Sequence, residues 1–123
     1  MKFDPNRAIY IQIMEEIKKR AARGVYAPGS QIPSVREMAL EMGVNPNTIV
    51  RVFMELEREG FIETRRGQGA YISPVPGVIE KERAKIAENA AKTFTAEIES
   101  LGLGEKELVE ILENMRKKLT DSR

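Results

Sequence analysis

The tightest constraint on this chain is a pair of helix starts separated by a single glycine stop. Ser34-Val35-Arg36-Glu37 has the form of a capping box, in which the Ser34 hydroxyl accepts from the amide three residues on and Glu37 reaches back. The helix it opens is short, with Val35, Met38, Ala39 and Met42 on its inner face. Gly43 ends it, because glycine takes the left-handed conformation past a helix end at little cost. Asn45-Pro46 then opens the next helix at once. Asparagine suits the N-cap, and proline suits the first helical position, where a missing N–H loses no bond. Ile49, Val52, Phe53 and Leu56 form the buried stripe of that second helix, and Gly60 ends it. Two short helices joined by a glycine-bearing turn of about three residues make a helix-turn-helix.

The flanks extend this unit. Ile9, Tyr10, Ile13, Met14, Ile17 and Ala21 recur at helical spacing and predict a first helix from about Asn6 to Arg23, stopped by Gly24. Glu15, Glu16, Lys18, Lys19 and Arg20 fill its other face. Pro28-Gly29 marks a tight turn. After Gly60 the period changes. Phe61–Thr64 and Ala70–Ser73 read as strands, and Arg65-Arg66-Gly67-Gln68-Gly69 between them makes a hairpin. Pro74 and Pro76-Gly77 break the chain, and the domain boundary is expected there. The fold class is therefore mainly α (α+β), with an N-terminal winged helix-turn-helix over residues 1–75 and a two-helix hairpin over 78–123.

Composition removes several functions. Cysteine and histidine are both absent, which excludes disulfides, thiolate or imidazole zinc sites, and Cys–His or Ser–His catalysis. Carboxylates such as Glu63 and Glu80 are not paired in any recognisable motif, and no glycine-rich nucleotide cradle precedes a helix. No enzyme and no cofactor is expected. The N-terminus carries no apolar signal segment, and no apolar run approaches the roughly 20 residues that span a membrane, so a cytoplasmic protein is expected. With 20 Lys and Arg against 19 Asp and Glu, the net charge is +1, and any basic footprint must be local.

Such a footprint is present. A helix-turn-helix lays its second helix in the major groove and offers that helix's first residues to base edges. Here these are Asn45, Asn47, Thr48 and Arg51. Asparagine pairs with adenine, arginine suits guanine or phosphate, and threonine contacts either a base or the backbone. Arg36, at the start of the preceding helix, is placed to touch the backbone or a flanking base, and Arg65 and Arg66 at the hairpin tip, beside Gly67 and Gly69, suit a phosphate track or a narrow minor groove. Each residue also has a plainer reading. Asn45 and Ser34 can be caps alone, Arg36 a solvated charge, Arg51 a partner for Glu55, and Arg65-Arg66 the guard of an exposed strand. What favours double-stranded DNA is that independent candidates fall on one face. A winged helix that docks a protein partner is the alternative.

The motifs also resemble a known family. Gly29-Ser30-Gln31-Ile32-Pro33-Ser34-Val35-Arg36-Glu37-Met38-Ala39 is similar to the loop and second helix of the GntR family of bacterial regulators. Gly43-Val44-Asn45-Pro46-Asn47-Thr48-Ile49 resembles that family's turn and recognition-helix start. Leu56-x-x-x-Gly60-Phe61-Ile62 and Arg66-Gly67-Gln68-Gly69-Ala70-Tyr71-Ile72 resemble its helix end and wing, so that the likeness covers roughly residues 7–73. The resemblance implies a dimer on a palindromic, inverted-repeat operator, a repressor by default, with Ser34, Arg36, Asn47, Thr48, Arg51, Arg66, Gly67 and Gln68 facing DNA. Some members carry an arginine just after the turn, where this chain has Pro46, so the operator sequence does not transfer.

The tail sorts the subfamilies. Residues 78–123 are too few for the large effector or aminotransferase-like domains of many members, and a two-helix tail resembles the YtrA subfamily, whose members often regulate transporter operons. Ile79, Ile86, Ala87, Ala90, Phe94, Ile98 and Leu101 make one apolar stripe, and Leu108, Leu112, Met115 and Leu119 another across the Gly102-Leu103-Gly104 turn. Pairing with a second copy would bury both stripes in a four-helix arrangement. Ile86, Ala90, Phe94, Ile98, Leu108, Leu112 and Met115 are the expected contacts, and Ala84, Ala87, Ala90 and Ala91 permit close approach. Packing of the tail on its own winged helix is the alternative. Phe94, Ile98, Met115 and Leu119 can also line a small-molecule effector site, although apolar residues at helical spacing are usually core, and Arg83 and Lys92 can hold an anion, although a solvated helix face explains them equally well.

Overall fold

The computed structural model describes residues 1–122. The element order is α1 (Ile9–Ala22), α2 (Val35–Met42), α3 (Pro46–Arg58), β1 (Ile62–Arg65), β2 (Gly69–Ile72), α4 (Val78–Leu101) and α5 (Glu105–Asp121). Met1–Lys85 form one compact unit and residues from Ile86 onward another.

The helix ends follow the local chemistry. Both halves of the capping box are made: the Glu37 amide donates to Ser34 Oγ at 3.2 Å, and the Ser34 amide donates to Glu37 Oε1 at 3.0 Å. Gly43 closes α2 with φ of 69°, in the left-handed region that side chains disfavour. Asn45 caps α3 by accepting the Asn47 amide at 2.8 Å, with Pro46 at the first helical position. The first helix starts later than Asn6. The Asn6 amide is bound to Asp4 Oδ1 at 2.9 Å, a local turn that competes with helix. Gln12, buried in the first full turn, holds the preceding segment: its Nε2 donates to the carbonyls of Asp4 and Arg7 at 2.8 and 3.0 Å, and its Oε1 accepts the Asp4 amide at 2.8 Å. Ile9, read from its spacing as part of the apolar face, is exposed.

The core lies between α1, α2, α3 and the sheet. Ile13, Ile17, Met38, Ile49, Leu56, Phe61 and Ile72 are fully buried, and each such side chain contributes roughly 1.5–3 kcal/mol relative to exposure. Ile79, in the first turn of α4, joins this core, and Val78 packs against it. Polar side chains tie the helices together at the rim. Arg20 meets Glu16 at 3.0 Å and Glu41 at 2.9 Å and donates to the Tyr26 hydroxyl at 3.0 Å. Burial works against its charge, yet these acceptors hold its pKa above the ordinary arginine value.

The wing strands are antiparallel, with Ile62 opposite Ile72 and Arg65 opposite Gly69. Arg65 and Gly69 thus belong to the strands, leaving Arg66-Gly67-Gln68 as the connecting turn. The segment after Pro28-Gly29 supplies a further pairing that periodicity does not announce. The Gly29 and Ile32 amides donate to the carbonyls of Ile72 and Ala70 at 3.0 and 2.9 Å, and the Ile72 amide donates to Ser30 O at 2.9 Å.

Among the described residues of the second unit no side chain is buried. Phe94, Ile98 and Leu103 are half-buried, and with Leu108 and Leu112 they line an open apolar cleft of about 570 Å³ where α4 turns into α5. No described helix is long and apolar enough to cross a membrane.

Candidate nucleic-acid interface

Helix α3 packs Ile49, Val52, Phe53 and Leu56 inward, so Asn47, Arg51 and their neighbours stand on the opposite, exposed face. Thr48 is half-buried beside them. The helix carries no carboxylate before Glu55, so the positive end of its dipole is unopposed by side-chain charge. Asn45 spends its side-chain oxygen on the cap, which leaves its amide nitrogen for other partners.

Arg51 does not pair with Glu55. Its guanidinium lies 3.6 Å from the ring centroid of Tyr10 on α1, while Glu55 is taken by Arg58. Stacking fixes the arginine's direction while leaving its N–H donors free. Arg36 and Arg66 are exposed, and neither is ion-paired among the described residues. Arg65 is held back on the wing: it stacks on Tyr71 at 3.9 Å and lies 3.8 Å from Glu63. Among the described residues Arg66 is therefore the cation of the tip without an ion pair.

Ser34 and Val35 at the start of α2, Phe53 of α3, and Thr64, Arg65 and Arg66 of the wing line one open cleft of about 520 Å³. The helix start and the wing tip, far apart in sequence, meet there. Two supports of this arrangement escape a reading by spacing. Gln31 Nε2 donates to Gln68 O at 2.7 Å, and a Cβ on Gly69 (φ 103°) would sit 2.9 Å from the same nitrogen. Glycine at 69 thus lets Gln31 reach the wing turn. Glu57 accepts from both the amide and the hydroxyl of Thr64, tying the last turns of α3 to β1. Those bonds, the hydroxyl's first, hold the Glu57 carboxyl below its usual pKa. Neither Gln31 nor Glu57 carries a local signal, because each partner is distant or lies beyond a change of period.

Known proteins share this architecture. The family model described as "Bacterial regulatory proteins, gntR family" matches residues 9–72. The regulator YhcF of Bacillus subtilis is 39% identical over 109 residues, covering 89% of this chain and 90% of its own. The transcriptional repressor YtrA of Bacillus subtilis is 47% identical over 75 residues, 59% of this chain and 58% of its own. A GntR family transcriptional regulator from Listeria monocytogenes superposes with a TM-score of 0.83 at 34% identity, over 91% of this chain and 98% of its own. The exposed α3 face, the wing and these likenesses together make the chain a member of the gntR family of bacterial regulatory proteins, a DNA-binding transcription regulator of the YtrA-like kind.

Proposed function

We propose that this regulator is a repressor that binds a palindromic operator as a homodimer in the cytoplasm. The observation that supports it most is a pair of exposed arginines, neither ion-paired among the described residues: Arg36 in the first turn of α2 and Arg66 in the wing turn, the latter sharing a cleft with Ser34 at the start of α2. In this reading Asn45, Asn47, Thr48 and Arg51 face bases, while Ser34 and Arg36 reach the backbone or a flanking base. Arg66, Gly67 and Gln68 track phosphates or a narrow minor groove, and Arg65 joins them only by leaving its stack on Tyr71. The apolar residues left exposed or only half-buried in the tail, Ile86, Ala90, Phe94, Ile98, Leu108, Leu112 and Met115, meet their counterparts in a second copy. Two recognition helices one DNA turn apart then require half-sites about 10 bp apart, centre to centre. Repression is favoured by the function that YtrA's name carries.

The test is fluorescence anisotropy against labelled duplexes from the gene's own upstream region, repeated from low to moderate salt. One duplex is expected to bind tightly with two chains at saturation and with affinity falling steeply as salt rises. Arg36→Ala and Arg66→Ala should each weaken binding by roughly 1–3 kcal/mol without unfolding the protein. Unchanged affinity in both variants would sink this face. Weak, uniform binding to every duplex would instead point to a protein partner.

A further inference from the structure

Asn47, Val50, Arg51 and Met54 recur at helical spacing on the face of α3 opposite its buried stripe. Two of the four are apolar and strongly exposed, Val50 at 42% and Met54 at 67%. Isolated exposed apolar residues are ordinary. These two alternate with polar residues on the one strip that the operator-reading function puts into the major groove. Valine there also gains nothing for the helix, since a β-branched residue is a poorer helix former than alanine. Among base edges in the major groove the apolar group is the C5-methyl of thymine. An adenine read by Asn47 brings its thymine partner, and that methyl, into the same groove. We infer that Val50 and Met54 are specificity residues that read thymine methyl groups beside the bases taken by Asn47 and Arg51. The inference rests on the operator-reading function proposed above. It adds to it a chemical requirement on the half-site: thymine, not merely an A·T pair of either orientation, at the contacted positions.

The experiment selects duplexes from a randomised pool with the full chain, then replaces each thymine of the selected half-site singly by deoxyuridine, which removes only the methyl. The intact protein should lose roughly four-fold in affinity at each contacted position, the equivalent of one buried carbon. The Val50→Ala/Met54→Ala variant keeps its fold, since both positions are exposed and alanine favours helix, and should bind thymine and deoxyuridine duplexes alike. Deoxyuridine tolerated everywhere by the intact protein, or discrimination kept unchanged by the double variant, overturns the inference while leaving operator binding in place. A pool that yields no enriched duplex removes operator reading itself, and this inference with it.

Discussion

In the winged unit Ile13, Ile17, Ile49, Leu56 and Ile72 are all fully buried, whereas from Ile86 to Ser122 every side chain keeps contact with solvent. The two regions have similar apolar periodicity in sequence. They differ in what covers the stripes. In the winged unit three helices and a sheet close over one another. In the tail, Leu112 and Met115 of α5 remain exposed. Amphipathic spacing therefore reports that a face must be covered, and it is silent on whether the same chain or another does so. The proposed dimer supplies the cover that the tail lacks.

The sharpest way to break this comparison is to remove buried volume on one side and exposed apolar surface on the other. Phe61→Ala opens the core and should lower stability by about 3–5 kcal/mol in urea unfolding. A loss well under 1 kcal/mol would mean that the core is far looser than its burial implies. Phe94→Ala in the tail should leave the winged unit's unfolding unchanged. It should weaken self-association by about 2 kcal/mol, near thirty-fold in the dimer dissociation constant by sedimentation. If it instead destabilises the winged unit as Phe61→Ala does, the tail packs on its own chain and the contrast fails.

Smaller effects sharpen the picture at the turn. At Gly43 an added Cβ meets nothing within 4 Å, so Gly43→Ala isolates the backbone term at a φ of 69° and should cost about 1–2 kcal/mol. Ser34→Ala removes the hydroxyl half of the capping box and should cost about 1 kcal/mol, read by thermal unfolding. The smallest effect is acid dependence. The Ser34 amide first, and its hydroxyl second, hold the Glu37 carboxyl below its usual pKa. That stabilisation is present above the ordinary carboxylate range and is lost as pH falls through the lowered value. Glu37→Gln should flatten the acid limb of a stability–pH curve, and an unaltered limb would show that other carboxylates carry it.

Much of the winged unit was legible because its signals are local. Ser34, Glu37, Gly43, Asn45 and Pro46 act within one turn of where they stand, and the structure follows each of them. The start of α1 was misread because Gln12 acts backwards on Asp4 and Arg7, and no periodicity encodes a side chain that satisfies the loop before its own helix. The plainer alternative for Arg51, a pair with Glu55, is displaced by Tyr10, a residue close only in the folded chain. The role of Gln31 was hidden for the same reason. Ser30-Gln31-Ile32 is too short to show alternation, and its partners lie near the far end of the wing.

That last pairing has a kinetic consequence. Bonding Ser30 and Ile32 to Ala70 and Ile72 closes a loop of roughly forty residues that contains α2, α3 and β1. Its entropy must be lost before these few bonds return anything, while the helices within the loop form from neighbours in sequence. The order of folding that follows is helices first, their packing next, and the strap across the wing last. The same strap should be the first part to let go. In hydrogen exchange under native conditions the Ile32 amide should open more readily than the amides of Val52 and Leu56 inside α3.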